Sequence, residues 1–303
     1  MRLRILLVIT TLIMSVSVRT ELWSADKQTW WVEFEAMPGY ANNYFFRGEG
    51  ARAPDTNLFS LYALGEKEWK KGKGKFTFDF DAGLVWVLDI DNADYYDVIL
   101  GGAYKRATRK YTLDFKARPN QVFEEEGAPI FFDLTALEIG IRQNFSPGMW
   151  LGFEYEYELQ DFDRAAELRD ADVDTFALSF RYPVTPKYGL RATAIYETRV
   201  ADGRRYNHKG PGVALAVEGQ PTDRIHFFFR YKYRERDFND AIEGDRNFER
   251  SDELSDVVFN LTWRFSSNWG VRFESFLRDG SSTRPDRNYT GNRIYAGMVY
   301  HLP

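Results

Sequence analysis

The chain has 303 residues, of which 28% are charged and 17% aromatic, and it contains no cysteine. Its formal net charge of -5 argues against nucleic acid as a partner, and the lack of cysteine excludes a disulfide framework and lipid attachment through a thiol. The mean hydropathy of -0.47 excludes a bundle of membrane helices, because each helical span needs about 20 mostly apolar residues.

The one long apolar run of the sequence stands at its start. Arg2 and Arg4 precede apolar residues 5–14, and small residues such as Ser15 and Ser17 follow. A short apolar run between a basic start and small residues is typical of a secretory signal peptide, which is removed on export. We therefore predict a signal peptide over residues 1–24, whose cleavage position the sequence leaves open, and a single domain over residues 25–303.

From residue 29 onwards the chain consists of segments in which apolar and polar side chains alternate. A β-strand sends successive side chains to opposite faces, so this period of two predicts strands. Their number is about 14, an even count within the range of transmembrane barrels. The predicted strands cover residues 29–36, 57–69, 75–89, 95–105, 110–118, 134–145, 149–160, 172–182, 188–199, 211–218, 224–236, 254–265, 269–278 and 292–302.

The connections between these segments alternate between short and long. Short turns that contain Gly, Pro, Ser or Asn are predicted at residues 145–148, 183–187, 219–223 and 265–268. Long polar loops are predicted at residues 37–56, 119–133, 161–171, 200–210, 238–253 and 279–291. Transmembrane barrels have short periplasmic turns and longer outer loops, so this order predicts that both termini are periplasmic.

Segment 224–236 displays the two faces of a predicted strand. One face carries Phe227, Phe229 and Tyr231, while the other carries basic residues from Arg230 to Arg234. Tyr and Trp collect at segment ends, where a ring with an apolar body and a polar edge suits a membrane interface. These residues are Tyr111, Trp150, Tyr188, Trp263, Trp269 and Tyr300. Segment 57–69 alternates poorly, and the sequence leaves its register open.

These features resemble those of Gram-negative outer-membrane β-barrel proteins, whose final strand carries apolar residues at alternate positions. Here Ile294, Ala296, Met298, Tyr300 and Leu302 share one face, although the chain ends without the usual terminal aromatic residue. The resemblance implies an all-β fold, a transmembrane antiparallel up-and-down barrel in the cell outer membrane. It also implies outer-membrane lipid and the barrel-assembly machinery as partners. A weaker similarity is to the barrels of surface lipoprotein or exopolysaccharide translocation systems.

If the apolar face meets lipid, the other face lines the interior, and its charges are unevenly distributed along the chain. The early strands supply a predicted acidic wall, with Lys116 against the trend, made of Glu33, Asp79, Glu138, Glu154, Glu156 and Glu158. The late strands supply a predicted basic wall, with Glu197 and Glu274 against the trend, made of Arg191, Arg230, Lys232, Arg234, Arg264, Arg272 and Arg293. We expect these residues to line water or to pair across the interior, because hydrocarbon would not accept them.

The two walls allow more than one function. Water between them would give a transverse field and a porin-like passive channel for small polar solutes, and Arg and Lys would favour anionic ones. Pairing across the interior would give a sealed structural or adhesive barrel instead. A translocation barrel for a polysaccharide or a surface lipoprotein is the third hypothesis. The channel is the leading one, and the oligomeric state stays open.

No group of residues in the sequence indicates an enzyme, a cofactor or a metal site. Of the three histidines, His208 falls in a predicted loop, His226 on a predicted interior face and His301 near the chain end, and no serine is paired with them at the lipid boundary. The acidic run at residues 89–94 lacks the glycine and the terminal glutamate of a calcium-binding loop. We predict a solvated turn there.

Overall fold

A computed structural model gives the fold of the chain. It describes residues 27–42, 55–89, 95–124, 132–162, 170–238, 243–244 and 248–302. The predicted signal peptide and most of the acidic run at residues 89–94 lie outside the described residues. Within those ranges, no helix is long and apolar enough to cross a membrane.

Fourteen strands in the described part of the chain form one closed antiparallel barrel, in which every strand pairs with its neighbours in sequence and the last pairs with the first. The predicted all-β up-and-down barrel is therefore confirmed. The strands are β1 (Lys27–Asn42), β2 (Thr56–Lys71), β3 (Gly74–Val87), β4 (Tyr95–Ala107), β5 (Tyr111–Glu124), β6 (Phe132–Ser146), β7 (Met149–Phe162), β8 (Ala171–Thr185), β9 (Tyr188–Ala201), β10 (His208–Thr222), β11 (Ile225–Asp237), β12 (Ser251–Arg264), β13 (Trp269–Ser282) and β14 (Tyr289–Leu302).

The short connections all lie at one end of the barrel and the long ones at the other. We call these the turn end and the loop end. Most strands extend further towards the loop end than the sequence pattern predicts: β1 reaches Asn42 and β5 reaches Glu124, although β3 ends at Val87, two residues before its predicted end. Backbone hydrogen bonding continues there because it does not depend on an alternation of apolar and polar side chains. The predicted loop at residues 200–210 accordingly shrinks to residues 202–207, which include a single-turn 3-10 helix at Arg204–Tyr206.

The register separates the two faces of the barrel wall. One face carries many large apolar residues that are well exposed, such as Leu215 at 58%. The other face carries ion pairs between strands that are not neighbours, such as Arg234 of β11 with Glu197 of β9. A side chain can reach over an intervening strand in this way on the concave side of the wall. The apolar face is therefore the outer one.

Strand β2 explains why its sequence alternates poorly, since it is apolar on both faces. Phe59 and Leu61 point outwards, whereas Leu58 points inwards and is only 2% exposed. Met37 of β1 and Val85 of β3 flank Ser60 of β2 on the interior face, and each is 1% exposed. Nearer the loop end, Ala41, Leu58 and Val87 form a buried apolar cluster against which Tyr295 packs. Buried apolar side chains thus pack on the interior face of β1 to β3.

Candidate functional site: the barrel interior

The interior face carries the residues predicted to form both walls. On the acidic side, Glu138 of β6 pairs in register with Glu156 of β7, and Glu154 is two residues away on the same face. On the basic side, Ala216 of β10 has Arg191 of β9 as one neighbour and Arg230 of β11 as the other. The two groups lie on different parts of the ring, with β8 between them. Their contacts then decide which side chains remain available.

Glu33 lies at the seam between β1 and β14, where it contacts residues of the predicted basic wall directly. Arg272 of β13 reaches over β14 and donates hydrogen bonds to Glu33 at 2.7 Å and to Glu35. Arg264 lies 3.7 Å from Glu33, and so does the ring of His301. The order of strands along the chain does not reveal this cluster, because ring closure makes the first strand a neighbour of the last. These charges stabilise the closure of the barrel.

A second cluster lies towards the loop end on β9 to β13. Glu197, which is 9% exposed, accepts hydrogen bonds from Arg234 at 3.2 Å and from Arg236 at 3.1 Å, and His208 Nε2 lies 3.0 Å away. Arg234 also bonds to Asp256 at 3.3 Å. Arg234 of the predicted basic wall is therefore committed to a structural network.

The prediction that His208 lies in a loop is wrong. It is the first residue of β10, it is buried, and its ring packs 5.2 Å from the ring of Phe238. The sequence around it is polar and rich in glycine, which resembles a loop. The hydrogen-bonding partners that keep the segment in the sheet come from β9 and cannot be read from the segment itself.

Between His208 and Glu218, strand β10 presents almost no side chains to the interior. Its inward positions from residue 210 to residue 216 are Gly210, Gly212, Ala214 and Ala216. A Cβ added to Gly212 would lie 2.9 Å from Cγ of Arg234, because the long side chains of β11 cross over this strand towards β9. The period-two run of small residues is visible in the sequence, but its meaning depends on the arginines beside it.

Three cations of the predicted basic wall lie next to this strip of small residues. Arg191 and Arg230 flank Ala216, and Lys232 is the neighbour of Ala214. Among the described residues, none of the three makes an ion pair, and Nε of Arg230 is a buried donor without a hydrogen-bond partner. Arg293 of the predicted basic wall lies elsewhere in the ring, on the interior face of β14 between Phe276 and Ala41.

The acidic residues are partly neutralised by their immediate neighbours. Lys116 donates to Glu138 at 2.5 Å and Gln160 donates to Glu158 at 3.0 Å, while Arg118 lies 3.7 Å from Asp79. In the part of the chain that the structure describes, Glu154 and Glu156 form no ion pair. Arg199 of β9 reaches over β8 and donates to the neutral side chain of Gln160 on β7 at 2.5 Å. The observed pairs therefore run along the wall and not across the interior.

One aromatic residue lies on the face opposite to the predicted one. Its position at a segment end predicts that Trp150 lies at the membrane interface, but its register partners Asn144 and Arg181 place it inside the barrel. The guanidinium of Arg142 lies 4.8 Å from its ring centroid. Trp263 and Trp269, by contrast, are exposed on the outer face, where Trp269 packs 4.6 Å from Tyr300.

The whole barrel is similar to solved outer-membrane proteins. OmpT of Vibrio cholerae matches with a TM-score of 0.53 and 9% identity over 92% of this chain and 100% of that one. The outer membrane channel DcaP of Acinetobacter baumannii matches with a TM-score of 0.52 and 11% identity over 91% and 97%. The anion-selective porin from Comamonas acidovorans matches with a TM-score of 0.51 and 8% identity over 91% and 99%. This chain has the fold of outer-membrane porins and channels.

At these identities the similarity concerns the fold of the barrel and not its ligands. No protein-family model and no curated protein matches the sequence. Among the described residues of the barrel, no three His, Asp or Glu side chains are placed to hold a metal ion together. What the barrel does must therefore be argued from its own interior.

Proposed function

We propose that this chain is an outer-membrane channel through which small hydrophilic solutes diffuse passively, with a preference for anions. The observation that carries the proposal is the group of Arg191, Arg230 and Lys232 beside the small residues of β10. Cations on the interior face that have no carboxylate bound to them attract anions from solution. The fold that the chain shares with porins and channels supports its location in the outer membrane, with the turn end towards the periplasm.

The chemistry of these cations fits solutes with a carboxylate, sulfate or phosphate group. A guanidinium offers planar, paired donors to such groups, while an ammonium acts as a point charge. Arg191 and Arg230 are two strands apart, which corresponds to roughly 10 Å between their backbones. An anion between them would contact one or both, and the small side chain of Ala216 would leave it room.

The filled interior beside β1 to β3 favours small solutes over polymers. Met37, Leu58 and Val85 occupy space that a wide polysaccharide channel would need as water. The ion pairs join strands along the wall and do not cross the interior. This arrangement favours an open channel and not a sealed barrel. We therefore rank the translocation barrel and the sealed barrel below the channel, and we propose no enzymatic activity.

Planar bilayer recordings of the purified chain test this function. We expect stepwise conductance, with anions more permeant than cations. Replacing Arg191, Arg230 and Lys232 with Gln should lower the anion-to-cation permeability ratio severalfold, since each unit charge contributes about 1 kcal/mol at 4 Å even in water. The variant should still insert and conduct, because these side chains hold no ion pair among the described residues.

Two matched variants show whether the interior charge is the cause. Replacing Glu154 and Glu156 with Gln should raise the ratio, since these changes remove the opposite charge from the same interior. Replacing Lys209, which is exposed on the outer face of β10, should leave the ratio unchanged. A chain that inserts without conducting would support the sealed barrel, and an unchanged ratio in the triple variant would overturn the preference for anions.

A further inference from the structure

A groove on the outer face at the turn end is distinct from the barrel interior. It has a volume of about 540 Å³ and is lined by Lys71, Lys73, Gly74, Phe76, Tyr104 and Arg106. Phe76 and Tyr104 belong to the outward-facing sets of β3 and β4, and their ring centroids lie 4.7 Å apart. The groove therefore opens to the outside of the barrel and not to its interior.

The local structure fixes the shape of the groove. Gly72 has a φ of 58° and closes the turn between β2 and β3. The N–H of Ala107 donates to the carbonyl of Lys73 at 3.2 Å, which ties this turn to the end of β4. A Cβ at Gly74 would lie 3.2 Å from the ring of Tyr104, so the glycine lets that ring lie against the backbone as a floor.

The cations at its rim are not neutralised by the protein. The side chains of Lys71, Lys73 and Arg106 are exposed, and none forms an ion pair with another described residue. The nearby carboxylate of Glu68 belongs to the interior face and is bound by Lys75 and Lys70. An anion in this groove would thus meet three cations without competition.

The surroundings of the groove are those of a membrane interface. Trp69 shares the outer face of β2 with Lys71, and Nζ of Lys67 lies 5.3 Å from its ring centroid. Apolar residues such as Phe78 continue the same face towards the middle of the barrel. Cations beside Trp and Tyr at the end of an apolar surface are typical of the level of lipid headgroups.

We propose that this groove binds the phosphodiester headgroup of an anionic phospholipid from the leaflet nearest the short turns. Lys71, Lys73 and Arg106 contact the phosphate, and the rings of Phe76 and Tyr104 pack against the glycerol and the first acyl carbons. The inference rests on the proposed location in a membrane, but not on conduction. The adjacent short turn at residues 108–110 adds Arg109 and Lys110 on the same side of the ring, whereas the short turn at residues 265–268 carries no cation.

Native mass spectrometry of the full chain tests this site. The chain is inserted into phosphatidylcholine vesicles that contain a minor fraction of phosphatidylglycerol, and is then extracted into detergent. We expect one retained phosphatidylglycerol molecule. In a variant with Lys71→Gln and Arg106→Gln its occupancy should fall roughly tenfold, because hydrogen bonds to charged groups are the stronger ones.

The matched control carries Lys187→Gln and Arg224→Gln, two exposed cations of other turns at the same end. It should retain the lipid. Equal loss or equal retention in both variants would overturn the site, and so would displacement of the lipid by inorganic phosphate, which would assign the groove to a free anion. A chain that fails to insert into vesicles would overturn the membrane location and this inference with it, whereas one that inserts without conducting would leave the lipid site intact.

Discussion

Gly297 lies where β14 comes closest to β1. The pairing of these strands is interrupted around Pro38, which has no N–H to donate. A Cβ at Gly297 would fall against the carbonyl oxygen of Ala36 and only 2.7 Å from Cα of Met37. Since both contacts are with backbone, no rotation of a side chain can relieve them.

The substitution Gly297→Ala should therefore destabilise the barrel. At an unobstructed strand position, replacing Gly with Ala gains about 0.5 to 1 kcal/mol, because Gly loses more freedom on folding. Gly102→Ala is the matched control, since no heavy atom outside its chain neighbours lies within 4 Å of the added carbon. Urea unfolding of both variants in the same detergent gives the comparison. Equal stability of the two would show that the approach of β1 and β14 is not as close as described.

At the scale of the strand, the seam between β1 and β14 depends on a side chain from β13. Arg272 spans β14 to reach Glu33 and Glu35, both buried. Removing one partner of a buried ion pair leaves the other charges without compensation, at a cost of about 3 to 5 kcal/mol. The effect should be local, because the contacts of Arg272 are confined to this part of the ring.

We expect Arg272→Gln to accelerate hydrogen exchange in β1 and β14 while β9 and β10 keep their protection. Exchange measured by mass spectrometry on peptides from each strand would show this. Arg264→Gln serves as the control, because the side chain of Arg264 is 48% exposed and lies 3.7 Å from Glu33, where an ion pair contributes little. A uniform increase over all strands would indicate global destabilisation and contradict a role at the seam.

How well the sequence predicts a strand depends on what lies on its two sides. The predicted bounds of β11 differ from the observed ones by only one residue at each end. Apolar residues on one side of this strand and charged residues on the other give its sequence a clear alternation. For β2 the pattern fails because its interior side is a packed apolar cluster. Most strands are also longer near the long loops than predicted, as His208 at the start of β10 shows, because polar residues on both faces still pair through the backbone.

For the molecule as a whole, the division into an outer and an inner face can be tested with its tryptophans. The chain has eight, of which Trp263 is exposed on the outer face and Trp150 lies in the interior. In single-tryptophan variants reconstituted into vesicles, brominated phospholipid should quench the fluorescence of Trp263 strongly and that of Trp150 only weakly. Equal quenching of both would mean that the assignment of the faces, or the membrane location, is wrong.

The sequence predicts the barrel as a whole better than it predicts the candidate site. The number of strands and their faces follow from alternation, which is a local property. Alternation does not show which charges remain without an ion-pair partner, because Glu33 and Arg234 pair with residues on strands that are distant in the chain. The three cations beside β10 could be separated from the rest of the predicted basic wall only once the ring and its contacts were known.

The strip of small residues on β10 has a consequence for the path of a solute. Buried side chains pack on the interior face of β1 to β3, whereas on the other side of the ring the wall at Gly212, Ala214 and Ala216 is little thicker than its backbone. In the channel proposed above, the free cross-section would therefore be displaced from the barrel axis towards β10. A solute would then travel an eccentric route, along a wall of bare peptide groups, with the cations of the flanking strands to either side.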